Sequence, residues 1–312
     1  VKYHLIIKKY QYYNWYLNYK NYFCAIDYTN PIIMTKYSSR YASSPQAVKQ
    51  YDTNQLRSEF LIDNLMQEGE ITFTYSHYDR YITGSAVPTT APLKLETIDV
   101  LKMPNFLDRR EMGIINVGGN GSVVVEGTTY ELGFKDALYI GSGNAEVIFK
   151  SNDASNPAKF YINSAPAHTN YPTKKVSLAE AKKIELGTME TANHRTVNQM
   201  IIGGIVTTCQ LQMGMTELKP GSVWNTMPAH VHDRRMEVYF YLDIPENQAV
   251  CHFMGEPQET RHIWMNNHQA VISPPWSIHS GSGTSNYTFI WGMAGENLDY
   301  GDMDVCKITD LR

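Results

Sequence analysis

The sequence predicts an all-β protein: two β-barrel or jelly-roll halves with a few short helices. Three observations carry that prediction. Short apolar runs rich in Val, Ile, Tyr and Phe recur at intervals of ~8–12 residues. Gly, Asn and Asp turns such as "GGNG" punctuate them. Two β-rich stretches also repeat each other's landmarks. No sustained alternation of strand and helix patterns is present. A chain of 312 residues suits two domains, at ~150 residues each, and 43% hydrophobic residues is ordinary for a chain with a real core.

Along the chain, residues 1–33 hold eight tyrosines and no glycine. The composition shifts abruptly at Met34, so these residues are expected to be an upstream extension or a disordered arm, with Met34 as the true start. The pattern "TNQLRSEFLIDNLM" predicts a helix over residues 53–66, with Leu56, Phe60, Leu61 and Met66 on one face. The β texture then runs through "EITFTYSHYDRYITGSAVP", "GIINVGGNGSVVVEG" and "AKFYINSAP". Residues 174–187 read as a connector with a helical turn or more. Strand-like runs resume with "TVNQMIIGGIV" and end with "YTFIWGMAG". The expected domains are residues 34–187, lacking metal ligands, and residues 188–312, carrying them.

Charge and cysteine usage narrow the function classes. A net charge of −4 with no long basic block excludes non-specific nucleic-acid binding, which needs phosphate neutralisation. No run of ~20 apolar residues is present, so no membrane-spanning helix is expected. The four cysteines, Cys24, Cys209, Cys251 and Cys306, form no CxxC pair. They read as reduced thiols of a cytoplasmic protein, with Cys209 and Cys251 buried in apolar runs.

The internal repeat aligns "FLDRREMGIINV" with "VHDRRMEVYFYL", and "KDALYIGSGNAEVIF" with "HQAVISPPWSIHSGSG". The shared "DRR" sets Asn105 opposite His230 and Leu107 opposite His232. Aligning Ala137 with Ala270 sets Glu146 opposite His279. The first half therefore lacks histidine at all three places.

Those three histidines form a candidate ligand set with Glu237. Residues i and i+2 of a strand share a face, so His230 and His232 can both look into a barrel. Glu237 has the wrong parity for the same straight strand. A turn or bulge at "DRR" (233–235) lets it open the next strand facing inward. His279 follows "SPPWSI" after a later run. Neutral imidazoles and a carboxylate suit Zn, Fe, Mn, Co or Ni. His252 and His168 lack comparable company; burial in a strand and loop bracing, respectively, account for them.

The spacing His-x-His-x4-Glu, followed by a further His, resembles the cupin metal signature, with Trp276 where the second cupin motif has glycine and a glycine displaced to Gly221. A narrower likeness covers roughly residues 50–312. The segments "LRSEFLI", "DRREMGIINVGGNG", "PAKFYINSAPAHTNYPTKKV", "TCQLQMGMTELKPGSVWNTMPAHVHDRRMEVYFYL" and "AVISPPWSIHSGSGTSNYTFIWGMAGEN" resemble the 5-keto-4-deoxyuronate isomerase family. That resemblance implies two cupin-like domains, a homohexamer and one Zn2+ per chain on His230, His232, Glu237 and His279. It implies a small acidic sugar as substrate: 5-dehydro-4-deoxy-D-glucuronate isomerised to 3-deoxy-D-glycero-2,5-hexodiulosonate in pectin or other polyuronate catabolism.

A uronate substrate calls for a fixed cation. Arg234, Arg235, Arg261, Lys174 and Lys175 are the candidates by sequence. Glu256, Glu259, His252 and His262 are candidates for the general base. Two other classes fit the same ligand set: an iron-dependent cupin oxygenase and a non-catalytic sugar-binding cupin.

Overall fold

The computed structural model describes Thr35–Arg312; the predicted upstream extension lies outside the described residues. The first half contains a seven-stranded sheet in the order β1 (Lys36–Arg40), β3 (Ile71–Ser76), β4 (Ile82–Ala86), β11 (Phe160–Pro166), β6 (Arg110–Asn116), β9 (Ala137–Ile140) and β12 (Lys174–Val176). A four-stranded sheet accompanies it: β5 (Leu93–Lys94), β10 (Val147–Ser151), β7 (Gly121–Val125) and β8 (Thr128–Leu132). Side chains from both, including Phe73, Met112, Ile114, Val123 and Phe149, form one apolar core.

The second half repeats this plan. Its seven-stranded sheet runs β13 (Lys182–Leu186), β14 (Arg195–Ile201), β15 (Gln212–Leu218), β22 (Thr288–Gly295), β17 (Arg235–Leu242), β20 (Ala270–Ser273) and β2 (Leu61–Ile62). The smaller sheets are β19 (Glu259–Met265), β18 (Val250–Glu256) and β21 (Ser280–Gly283), and the pair β16 (His230–Val231) with β23 (Asp304–Val305). The aligned landmarks fall at matching places. Arg110 and Arg235 open the central strands, and Ala137 and Ala270 open their neighbours. Glu146 and His279 each stand just before the strand that returns to the small sheet.

The two large sheets meet back to back, so their central strands are buried along their whole length. That explains why the sequence shows continuous apolar runs there instead of clean alternation. Tyr161 stacks on Phe240 at 4.3 Å between ring centroids. Close approach needs glycine at two points. A Cβ on Gly113 would sit 2.3 Å from Met213 Sδ, and one on Gly292 would sit 2.1 Å from Asn163 Oδ1. Across this interface the fully buried Glu111 carboxylate accepts backbone N–H bonds from Cys209 (2.7 Å), Gln210 (2.8 Å) and Leu211 (2.7 Å), and the Tyr139 hydroxyl (2.8 Å). Lys135 adds ion pairs to Glu217 and Asp243, both at 2.8 Å.

Two local expectations are corrected. The predicted helix over 53–66 ends at Phe60. Its start is a capping box between Asp52 and Gln55, but Leu61 and Ile62 pair with Val271 and Ala270 as the edge of the second sheet. Filling that edge outweighs the helical periodicity. The connector over 174–187 is mostly strand: β12 and β13 flank a single turn at Leu178–Glu180. β12 holds in the first sheet the place that β2 holds in the second.

Removing the Glu111 carboxylate strands three backbone N–H donors and the buried Tyr139 hydroxyl. Glu111→Ala is expected to destabilise the fold by about 3–5 kcal/mol, read as a lowered urea midpoint.

Candidate metal centre

The four candidate ligands arrive from three places in the second half. His230 opens β16, whose pairing with Val305 fixes it. His232 follows, and a turn at Asp233–Arg234 reverses the parity. Glu237 is the third residue of β17, and His279 closes the loop after β20. The structure brings all four together: one donor atom from each lies within 4.8 Å of the others. His232 Nε2 is 3.1 Å from Glu237 Oε2, His279 Nε2 is 3.0 Å from the same oxygen, and His279 Nε2 is 2.9 Å from His230 Nε2. All four residues are buried, with no more than 8% exposure.

This set fits a cation. Three histidine nitrogens and a carboxylate oxygen, buried together within a few ångströms of one another, are the donor chemistry that divalent ions take. The second ring nitrogens turn the lone pairs inward. His232 Nδ1 lies 3.0 Å from the Arg235 carbonyl, and His279 Nδ1 lies 3.4 Å from that of Ser277. Donation from Nδ1–H leaves Nε2 unprotonated and facing the centre. Burial, and then His279 beside it, drives His230 down to about 2. Burial pushes the Glu237 carboxyl up, but His279 and His232 outweigh it and hold the group below the usual carboxylate range. His230 is therefore neutral and Glu237 anionic near pH 7, the states that bind a metal ion.

The cluster opens into a cavity of about 250 Å³. Strand alternation builds its wall: Arg195, Val197, Thr216, Phe289, Trp291 and Tyr239 lie on the same face of the sheet as Glu237. The Tyr239 hydroxyl is 2.7 Å from that of Thr226. The segment before β23 crosses one side and contributes Tyr300 and Met303. Arg235 ties that segment down, donating to the carbonyls of Asp299 (2.8 Å) and Asp302 (2.7 Å).

The cations named from sequence are otherwise engaged. Arg235 lines the cavity, but both terminal nitrogens serve those carbonyls. Arg261 donates to the carbonyls of Lys49 and Tyr51. Arg234 is exposed, with Glu296 at 3.7 Å. Lys174 donates to the Ile205 carbonyl, and Lys175 pairs with Asp136. Of the proposed bases, Glu256 and Glu259 line a different small cavity beside Lys49, and His262 is exposed. His252 is fully buried, with Nδ1 2.8 Å from the Tyr241 hydroxyl, and does not line the cavity. Cys251, expected to be buried, is half-exposed, because β18 turns His252 inward and its neighbours outward. Cys209 is buried, and no disulfide forms among the described residues. His168 is exposed. No described helix is long and apolar enough to cross a membrane. Sequence reasoning missed Arg195, Tyr239 and Tyr300. Tyr239 could have been found by parity from Glu237; the other two carry no local signal.

Fold and cluster define a class: a two-barrel cupin whose second barrel gathers three histidines and a glutamate able to hold a metal ion. A model of the KduI/IolB family matches residues 60–308, and this chain belongs to that family. It is 82% identical over 278 residues to the 4-deoxy-L-threo-5-hexosulose-uronate ketol-isomerase of Formosa agariphila, covering 89% of this chain and 99% of that protein. The enzyme of the same name from Bacteroides fragilis is 59% identical over the same shares. Among solved structures, an IolB-like protein of Salmonella typhimurium LT2 superposes with a TM-score of 0.63 at 14% identity, over 79% of this chain and 96% of that one. An oxalate decarboxylase of Bacillus subtilis, a protein with Mn(II) centres, reaches 0.51 at 11% identity, over 72% of this chain and 71% of that one. These two likenesses concern the fold.

The buried histidines set a pH dependence. Burial, and then His279, brings His252 down to about 3, as burial does for His230. Unfolding restores values near 6.5, so below that pH the unfolded chain binds protons that the folded chain refuses. The metal-free protein is expected to lose about 1.4 kcal/mol per pH unit for each of these histidines once the pH is well below 6.5. Its urea midpoint should fall from pH 7 to pH 5.

Proposed function

We propose that this protein is a zinc-dependent 4-deoxy-L-threo-5-hexosulose-uronate ketol-isomerase. The observation that carries the reading is the convergence of His230, His232, Glu237 and His279 at the head of a largely apolar cavity. Relatives of that activity at 82% and 59% identity support the reaction class. Three imidazoles and one carboxylate suit a borderline ion such as Zn2+.

The substrate's chemistry follows from its name. A six-carbon chain carries an aldehyde at one end, hydroxyls on the next two carbons, a methylene, a ketone and a terminal carboxylate. Isomerisation moves the aldehyde carbonyl to its neighbour. One proton leaves the hydroxyl-bearing carbon and one arrives at the former aldehyde carbon, so no external oxidant or reductant is needed. The product is the 2,5-diketo acid. A bound divalent ion supplies Lewis-acid stabilisation of the negative charge that builds on the two adjacent oxygens.

The chain's own residues hold and isolate the sugar. Phe289, Trp291, Met293 and Met303 line the cavity and limit water near the reacting carbons. Tyr239 and Thr226, already hydrogen-bonded to each other, offer hydroxyls to the substrate's own. Burial raises Tyr239 well above its ordinary value, so it donates as a neutral phenol. In this reading the half expected over residues 188–312, whose sheet in fact begins with β13 at Lys182 and is completed by β2, is the catalytic domain, and the half expected over residues 34–187 is a structural one. A homohexamer in the cytoplasm, acting after polyuronate cleavage, completes the proposal.

Purified protein should convert the keto-uronate to the diketo acid, lose activity on chelation and recover it with Zn2+. Elemental analysis should give one zinc per chain. His279→Ala and Glu237→Gln should each lower the metal content and reduce turnover at least ~100-fold. Full activity and full metal content in both variants would overturn the assignment. Iron content with oxygen uptake would replace it by an oxygenase.

A further inference from the structure

The cavity has two chemically different ends. The metal-ligand cluster occupies one. Arg195, the first residue of β14, supplies a guanidinium at the other. The register fixes this separation. Glu237 pairs with Met293 on β22, and Arg195 lies beyond Val197 on the same sheet face, opposite Leu218 on β15. Between them the wall is mainly apolar: Val197, Phe289 and Trp291.

Arg195 differs from the other lining arginine in what its nitrogens do. Arg235 spends both terminal nitrogens on backbone carbonyls. Arg195 makes one such bond, Nη1 to the Asn193 carbonyl at 2.8 Å. Among the described residues no carboxylate lies within salt-bridge distance of it. Burial lowers its basicity, and the groups that oppose this are tyrosines, Tyr239 first, and no carboxylate. A half-buried guanidinium with open donors is a site for a planar anion, because its fork matches a carboxylate's two oxygens.

We propose that Arg195 binds the carboxylate of the sugar acid and so sets the enzyme's specificity for uronates. The inference rests on the ketol-isomerase reading and deepens it. The substrate's reacting carbons and its carboxylate lie at opposite ends of a six-carbon chain. With the carboxylate on Arg195, the aldehyde end reaches toward the histidine–glutamate cluster and the methylene passes the apolar wall. A neutral sugar of the same length lacks that anchor.

The test compares two substrates: the keto-uronate and its counterpart with a primary alcohol in place of the carboxylate. Arg195→Met should lower kcat/KM for the uronate about 100-fold, mainly through KM, and leave the weak turnover of the neutral sugar within about threefold. Arg195→Lys should restore part of the loss. Zinc content and urea midpoint should match the parent protein, which separates loss of binding from misfolding. Equal losses on both substrates, or an unchanged uronate KM, would overturn the role of Arg195 while leaving the isomerase reading intact. A parent protein inert toward both substrates would instead overturn the isomerase reading, and this inference with it.

Discussion

Four donor atoms crowded within 4.8 Å inside a barrel form the constraint around which the second half is organised. Imidazole nitrogens 2.9 Å apart are unfavourable neighbours unless a proton or a cation lies between them. A buried carboxylate adds its own desolvation cost. A cation relieves both at once. The scaffold holds the four groups together by its own contacts. β16–β23 pairing fixes His230, the Arg235 carbonyl orients His232, and the full β17 ladder fixes Glu237.

The first half shows the same scaffold without that constraint. The places of His232 and Glu237 are taken by Leu107 and Met112, which pack into its apolar core with Phe106 and Val147. A closed apolar core satisfies the barrel there, so no cavity of comparable chemistry is needed. The arginine that aligns the halves has the same task in both. Arg110 donates to the carbonyls of Arg80 and Ser164 as Arg235 does to those of Asp299 and Asp302. Each uses a buried guanidinium to tie a loop to the barrel: Arg110 holds the turn at Arg80 against β11, and Arg235 holds the segment before β23. The motif that reveals the repeat is thus a structural device, which is why its arginine is poorly placed to serve a substrate.

The halves also depend on each other. β2 lies in the chain between β1 and β3 of the first sheet yet completes the second, while β12 takes the matching edge of the first. Glu111 receives the backbone that leads into β15, the second strand over from β17 in the ligand-bearing sheet. The first half therefore supports the strands that shape the cavity, although it contributes none of the cluster's donors.

Much of this was legible in the chain. Turn residues and short apolar runs disclosed the all-β class, because run length, Val/Ile/Tyr/Phe content and Gly/Asn/Asp turns are local properties. The four clustered side chains were legible because two histidines at i and i+2, a polar break and a glutamate encode their own parity. The repeat was legible through Arg110/Arg235 and Ala137/Ala270, which keep one place in both barrels. The helix end at Phe60 was not, since β2 forms only where a distant sheet edge accepts it. Nor could sequence distinguish Arg235 from Arg195. Both are arginines at strand starts, and their availability depends on which carbonyls and cavity walls lie within reach. Local pattern determined the strands and the donor set by itself; tertiary structure decided which charges were already spent and which remained open, because that depends on contacts between residues far apart in the chain.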